Sequence, residues 1–165
     1  MDNVTIDRIK LMHPDKRDSL RQIYININNQ LPKGVRLRFT HTLRTIEEQN
    51  YLYSQGRTRG GSIVTNAKGG QSIHNYGLAF DIVILLDEDN NGTFEKAVWN
   101  GTHFNFVVKE LEKLGFEWGG RWKFKDAPHF QYKKANGTSF KWQELKALLD
   151  SGKLIKNNSV NYPII

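Results

Sequence analysis

The sequence predicts an α+β fold, in which helices flank a small, mostly antiparallel sheet. Helical and strand-like patterns both occur, and they do not alternate regularly along the chain. The length of 165 residues and the apolar content of 38% are typical of one globular unit with a sizeable core. We therefore expect a single domain over residues 1–165, with a motif-bearing core at about 14–135 and a packing helix and tail at 136–165.

Four stretches have the spacing of amphipathic helices, namely 18–31, 45–56, 102–115 and 139–152. Pro32 and Gly34 should end the first helix. Thr45 and Glu48 stand in capping-box register at the start of the second. Ser139 is the expected N-cap of the last.

Strands are expected at 35–41 and 78–85, with two shorter ones at 116–118 and 129–132. Residues 57–77, rich in Gly, Ser, Asn and Thr, form a long loop that leads into the strand 78–85. Long loops in compact proteins are often functional.

Asp81 is a carboxylate in the middle of the apolar strand 78–85. Burying a charge costs several kcal/mol unless it is paired, hydrogen-bonded or bound to a metal. An ion pair with Arg or Lys from a neighbouring strand is the simpler explanation. A metal ion is the other.

Two histidines favour the metal. His74 lies in the loop before the strand, and His129 follows Asp126 and Pro128 in a segment that cannot be helical. Because the chain has no cysteine, His and carboxylate side chains are the available metal ligands. Two histidines and Asp81 would leave a fourth zinc position open for water, and Asp126 could accept a proton from it. His13, His41 and His103 are weaker candidates, expected on the surface or in packing.

Two motifs then carry a family resemblance. Ser72, His74, Gly77, Ala79 and Asp81 fit the pattern SxHxxGxAxD, and residues 126–129 fit [DE]xxH. The sequence resembles the zinc peptidases of the D-alanyl-D-alanine carboxypeptidase and dipeptidase family, which shares its fold with the Hedgehog N-terminal domain and lysostaphin-type enzymes. The segments 43–58, 63–81 and 116–131 look most similar to peptidoglycan L-alanyl-D-glutamate endopeptidases of phage endolysins.

The resemblance implies one zinc ion per chain, bound by His74, Asp81 and His129, with Asp126 as general base and later acid. It also implies an arginine that stabilises the developing oxyanion. Arg44 fits that role best. Arg57 competes with it, and binding of a substrate carboxylate is a second possible role for Arg57. An ordinary ion pair with Glu47, Glu48 or Glu117 remains open for either arginine.

Further candidates line the expected cleft. Ser72, Gln49 and Trp122 are candidate substrate contacts or supports, and Trp122 should be partly exposed, whereas Trp118 should lie in the core. The segment 87–95 begins like a calcium loop, but position twelve is Val98 instead of Glu. We therefore expect a turn there, not a Ca²⁺ site.

The net charge of +7 favours a polyanionic partner, although solubility alone explains it equally well. The basic residues are scattered, so no specific nucleic-acid binding is expected. The start lacks the apolar segment of a signal peptide, and no apolar run approaches the ~20 residues of a membrane span. By family analogy we expect a monomer that is held in the cytoplasm until release and then acts on the cell wall.

The predicted function is zinc-dependent hydrolysis of an amide bond in the peptidoglycan stem peptide, between L-alanine and D-glutamate. A D,D-carboxypeptidase acting on terminal D-Ala-D-Ala is the nearest alternative. A non-catalytic zinc-binding module and a metal-free basic nucleic-acid binder are alternatives from other classes.

Overall fold

The computed structural model describes residues 1–165 and confirms the α+β class. The helices are α1 (Asn3–Ile9), α2 (Arg17–Asn28), α3 (Ile46–Ser54), α4 (Gly101–Lys113) and α5 (Trp142–Asp150). The strands are β1 (Val35–His41), β2 (Ala79–Leu86), β3 (Lys96–Val98), β4 (Glu117–Trp118), β5 (His129–Gln131), β6 (Leu154–Asn157) and β7 (Val160–Pro163). Single 3₁₀ turns lie at Pro14–Lys16, Ile73–Tyr76 and Gly119–Arg121. None of the helices combines the length and apolar character that crossing a membrane requires.

The main sheet has the strand order β1-β2-β5-β4, with β3 paired to β2, and every pairing is antiparallel. Strand β2 is the centre of this sheet. Its register places Asp81 opposite His129 on one side and opposite His41 on the other. The sheet therefore brings together residues that are far apart in the sequence.

The core lies on one face of β2. Phe80, Ile82 and Ile84 alternate along the strand and are fully buried, as the pattern predicts. Phe80 stacks on Phe39 of β1 at 4.5 Å between ring centroids. Helices α2 and α4 contribute Leu20, Tyr24, Ile27, Phe104, Val107, Val108 and Leu111 to the same core.

The last helix begins later than predicted. Ser139 is not its N-cap, because α5 starts at Trp142 after the cap residue Lys141. The Ser139 hydroxyl donates instead to Glu117 of β4, and its backbone pairs with Lys133. A tertiary hydrogen bond thus replaces the local cap.

Four elements escaped the sequence prediction: α1, β3, and the strands β6 and β7, which form a hairpin. The predicted tail is therefore folded. Asn158 and Ser159 turn the hairpin with positive φ values of 48° and 64°, a role that Asn-Gly usually signals. Tyr162 of β7 is buried and donates a hydrogen bond to the Leu11 carbonyl, which ties the hairpin to the N-terminal region.

Candidate metal centre and cleft

Three predicted ligands meet at one end of the sheet. His74 comes from the 3₁₀ turn before β2, Asp81 from β2 and His129 from the first position of β5. His74 Nε2 lies 3.2 Å from both Asp81 Oδ1 and His129 Nδ1, and the latter two atoms are 3.3 Å apart. Ligand atoms at about 2.0–2.1 Å from a tetrahedral zinc ion are separated by about 3.3 Å, so the triangle has the size that such an ion requires.

The neighbours of the two histidines decide which ring nitrogens carry protons. His74 Nδ1 lies 2.7 Å from the carbonyl oxygen of Thr42, which can only accept. His129 Nε2 lies 2.9 Å from Gln131 Oε1, which also accepts. Each ring therefore donates outward and presents a lone pair to the centre, as metal-bound histidines do.

The centre is a site for positive charge. His74 and His129 are 3% and 6% exposed, and their inward lone pairs face a carboxylate oxygen. Burial works against ionised Asp81, yet His129 and His74, when their rings are protonated and donate to it, hold the pKa of Asp81 well below its usual value. Burial likewise disfavours protonated His129, but hydrogen bonds with Asp81 and Gln131 outweigh it and raise the pKa of His129. Three inward acceptors of this kind repel one another unless a cation lies between them.

No lysine or arginine pairs with Asp81. Its charged neighbours within 4 Å are His74, His129 and His41. The ion pair that the sequence left open is therefore absent, which removes the simpler explanation for a carboxylate in β2.

Asp126 lies at the rim of a cleft of about 460 Å³ whose lining also includes the three ligands. It is exposed, and its backbone N–H donates to the Gly119 carbonyl at 3.0 Å. The segment approaches Gly119 so closely that a Cβ there would lie 2.5 Å from the Asp126 carbonyl oxygen and 3.2 Å from His129 Cβ. A glycine at 119 is thus needed to seat both residues.

Arg44 also lines the cleft, and it lies on a different chain segment from Asp126. Its guanidinium donates to Gln49 Oε1 at 3.0 Å, and Gln49 Nε2 donates to the Ala67 carbonyl at 2.8 Å. Gln49 is fully buried and lies behind Arg44, outside the cleft lining. A buried amide therefore orients Arg44, whose backbone N–H also donates to the His74 carbonyl.

Arg57 lies apart from the cleft lining. It stacks on Tyr53 at 3.8 Å and donates to the carbonyl oxygens of Tyr53 and Thr65. Neither Arg57 nor Arg44 forms an ion pair with Glu47, Glu48 or Glu117. These hydrogen bonds of Arg57 stabilise the backbone of the loop 57–72.

Ser72 and Trp122 do line the cleft. Trp122 is partly exposed as predicted, and its ring lies 5.1 Å from that of His129. Trp118 is only partly buried, although it packs against the core. Its indole N–H donates to the Ala127 carbonyl at 2.7 Å and so supports the segment that carries Asp126.

His41 lines the cleft, although the sequence predicted it to be a weak candidate for a metal ligand. It is 64% exposed, and its Nδ1 lies 3.7 Å from the outer oxygen of Asp81. An irregularity in the β1–β2 register between Phe39 and His41 brings it there. Strand register is a tertiary feature, so the sequence carried no local signal for this position.

The 87–95 segment forms a turn, as predicted. Asp87 accepts from the backbone N–H groups of Asn91 and Gly92, and Asp89 accepts from Asn91. Asp87, Asp89 and Glu95 lie close together; Asp89 accepts from Asn91 as in an Asx turn, and Glu95 accepts from the Glu88 backbone N–H.

Comparison with known proteins finds one matching family model. Residues 65–132 match a family described as D-alanyl-D-alanine carboxypeptidase. The three ligands and Asp126 lie inside the matched segment, whereas Arg44 precedes it. The resemblance predicted from the two motifs is thereby confirmed.

A particular relative is the peptidoglycan L-alanyl-D-glutamate endopeptidase CwlK of Bacillus subtilis strain 168. The two are 45% identical over 108 residues, which is 60% of this chain and 62% of the relative, so the match spans less than two thirds of that protein.

Two solved structures share the fold, each with a TM-score of 0.52. The L-Ala D-Glu endopeptidase ChiX of Serratia marcescens is 21% identical, over 79% of this chain and 86% of its own. The vancomycin-resistance D,D-dipeptidase VanXYg, solved with a D-Ala-D-Ala phosphinate analogue, is 20% identical, over 88% of this chain and 64% of its own.

Proposed function

We propose that this protein is a zinc-dependent peptidase that hydrolyses the L-alanyl-D-glutamate bond of the peptidoglycan stem peptide. The observation that carries the proposal is the triangle of His74, Asp81 and His129 atoms, 3.2–3.3 Å on each side, in a cleft that also holds Asp126. The 45% identical CwlK, named for that reaction, supports the choice of bond.

The three ligands would hold one zinc ion per chain. When bound, zinc supplies a Lewis acid for the scissile carbonyl and makes water a stronger acid. Asp126 then accepts the proton of the attacking water and returns it to the leaving amine, since it is the one carboxylate of the cleft outside the ligand set. Arg44, held by Gln49, is placed to stabilise the negative charge that develops on the carbonyl oxygen.

The surroundings suit an extended peptide. A second cavity of about 510 Å³ shares His41, Arg44 and Leu52 with the cleft and adds Glu47, Glu48 and Tyr51. Together the two depressions offer room on either side of Arg44. The net charge of +7 favours adhesion to an anionic cell wall. We further propose that the protein acts as a monomer on the wall after release from the cytoplasm.

Digestion of purified peptidoglycan tests the bond. We expect new amino termini on D-glutamate, identified by mass spectrometry after labelling of free amines, and no release when a chelator is present. Release of D-alanine without new D-glutamate termini would contradict the proposal. That result would support the D,D-carboxypeptidase alternative, which the shared fold with a D,D-dipeptidase favours.

A further inference from the structure

Three donors meet at the carboxylate of Glu117, behind the candidate metal centre. Trp122 Nε1 donates to Oε1 at 3.0 Å, while Gln131 Nε2 and the Ser139 hydroxyl donate to Oε2 at 3.0 and 2.6 Å. An ionised carboxylate can only accept. Glu117 therefore requires a donor from each neighbour.

This requirement fixes the side-chain amide of Gln131. An amide has a donor at one end and an acceptor at the other. Because its nitrogen faces Glu117, its oxygen faces His129 Nε2 at 2.9 Å. Gln131 is only 5% exposed, so little of its side chain can turn to water for an alternative partner.

The orientation of the amide in turn selects the tautomer of His129. With the amide oxygen facing it, His129 keeps its proton on Nε2, and Nδ1 presents a lone pair to His74 and Asp81. A flipped amide would donate to Nε2 and move the proton to Nδ1, where it would block metal binding. His74 needs no such support, because the Thr42 backbone carbonyl cannot flip.

We propose that Glu117 and Gln131 are positioning residues of the metal centre: Glu117 orients the Gln131 amide, which holds the His129 proton on Nε2 and frees Nδ1 to bind metal. This inference deepens the proposed function and rests on its zinc site. Neither residue touches the ligand triangle except through His129. Partners of this kind typically change metal affinity by about 10–100-fold when they are lost.

Zinc affinity of the metal-stripped protein tests the proposal. The dissociation constant for Zn²⁺ is measured by competition with a chromophoric chelator. We expect Gln131→Met, which keeps the bulk but removes the acceptor, to bind zinc about 10–100-fold more weakly than wild type. Gln22→Met, the same change at an exposed helix position where Gln22 contacts Asn26, is the control and should bind zinc as wild type does.

Two variants at Glu117 supply the test if Gln131→Met fails to fold. In Glu117→Gln, position 117 can donate as well as accept, so the Gln131 amide is free to flip and zinc binding should weaken. The double variant Glu117→Gln/Gln131→Glu places a carboxylate next to His129 and an amide behind it. It should recover most of the lost affinity, because His129 again has an obligatory acceptor at Nε2.

The tautomer of His129 gives a readout that simple loss of packing would not produce. Nitrogen-15 NMR of the metal-free protein, recorded at a pH where the His129 ring carries a single proton, should show Nε2–H in wild type and in the double variant, and a mixture in the two single variants. Single variants that retain wild-type zinc affinity and a pure Nε2–H tautomer would overturn the proposal. A wild type that binds no zinc would contradict the proposed function instead, while the tautomer measurement would still test the role of Glu117 and Gln131.

Discussion

At the centre of the cleft, three side chains direct hydrogen-bond acceptors at one another across 3.2–3.3 Å. In most buried clusters a donor separates two acceptors, because unpaired acceptors in a low dielectric are costly. Here Thr42 and Gln131 draw both histidine protons outward. The arrangement therefore needs a proton or a cation inside, and a zinc ion is the occupant that the proposed function assigns to it.

Asp126 should affect chemistry without affecting the metal. We expect Asp126→Asn to retain zinc and lose about 10²–10⁴-fold in turnover, because the amide cannot accept the proton of water. His74→Ala and Asp81→Ala should lose the metal as well. Metal content by mass spectrometry and amine release, measured on the same preparations, separate the two outcomes. A zinc content in Asp81→Ala equal to that of wild type would refute its assignment as a ligand.

The two arginines should differ in effect. Arg44 lines the cleft and Arg57 does not, so we expect Arg44→Lys to lower kcat by about 10²-fold, since a lysine cannot keep both the bond to Gln49 and the reach of the guanidinium. Arg57→Lys is the matched control, expected to have a much smaller effect on kcat. Steady-state kinetics on a defined stem peptide measure both. A larger loss in Arg57→Lys would reverse the two assignments.

At the scale of single elements, the short 3₁₀ turn at Gly119–Arg121 positions the Asp126 segment. A Cβ at position 119 would meet the Asp126 carbonyl at 2.5 Å, closer than real contacts allow. Gly119→Ala should therefore displace Asp126 and reduce cleavage by at least about 10²-fold, because small errors in the position of a catalytic group are costly. Gly60→Ala is the matched control, because a Cβ at position 60 would meet nothing within 4 Å. Activity of Gly119→Ala equal to wild type would show that the turn is not needed.

The C-terminal hairpin is joined to the N-terminal region through His13. This histidine is fully buried, its Nε2 donates to the Pro163 carbonyl at 2.7 Å, and its Nδ1 accepts from the Asp15 backbone. Burial lowers the pKa of His13 and outweighs the opposing hydrogen bond to Pro163 and the charge of Asp15, while Lys16 and Arg17 add to the lowering. The Tyr162 ring packs edge-on at 5.7 Å.

Acid should therefore loosen this junction. Above the ordinary histidine pKa of 6.5 the residue is neutral in both states. As the pH falls below that value, the unfolded chain takes up a proton that folded His13 resists, so the free energy of unfolding decreases. His13→Gln keeps a donor for Pro163 and should cost about 1 kcal/mol at pH 7.5, with a smaller further loss at pH 5.5 than wild type. Denaturant unfolding at both pH values measures this, and equal losses in the two proteins would exclude His13 as the cause.

The candidate ligands and the candidate base could be chosen from local spacing, and the structure brings all four into one cleft, although their roles remain proposals. The strands 35–41 and 78–85 and the capping box of Thr45 and Glu48 were also predictable from local patterns. Features that depend on strand register could not be predicted from local patterns. The approach of His41 to Asp81 and the contact of Glu117 with Gln131 arise from pairings of distant segments. The same holds for Ser139, whose tertiary bond to Glu117 overrides its capping tendency.

At the scale of the whole molecule, the sheet and two distant loops converge on one cleft. Strand β2 carries the candidate ligand Asp81, and its pairing with β5 places the candidate ligand His129 opposite it. The loop between α3 and β2 delivers His74 and closes over Gln49 through Ala67 and Thr65. The proposed zinc dependence therefore requires the assembled fold. Partial unfolding of the loop between α3 and β2, or of the segment 119–128 before His129, should release the metal.

The most direct test of the account is a zinc titration of the metal-stripped protein with cleavage of peptidoglycan as the readout. We expect no amine release without metal, a linear rise with added zinc, and a plateau at one equivalent per chain. The Asp126→Asn protein should take up the same one equivalent and remain inactive. Full cleavage by protein free of zinc, or a wild type that binds one equivalent and still cleaves no stem peptide, would contradict the account.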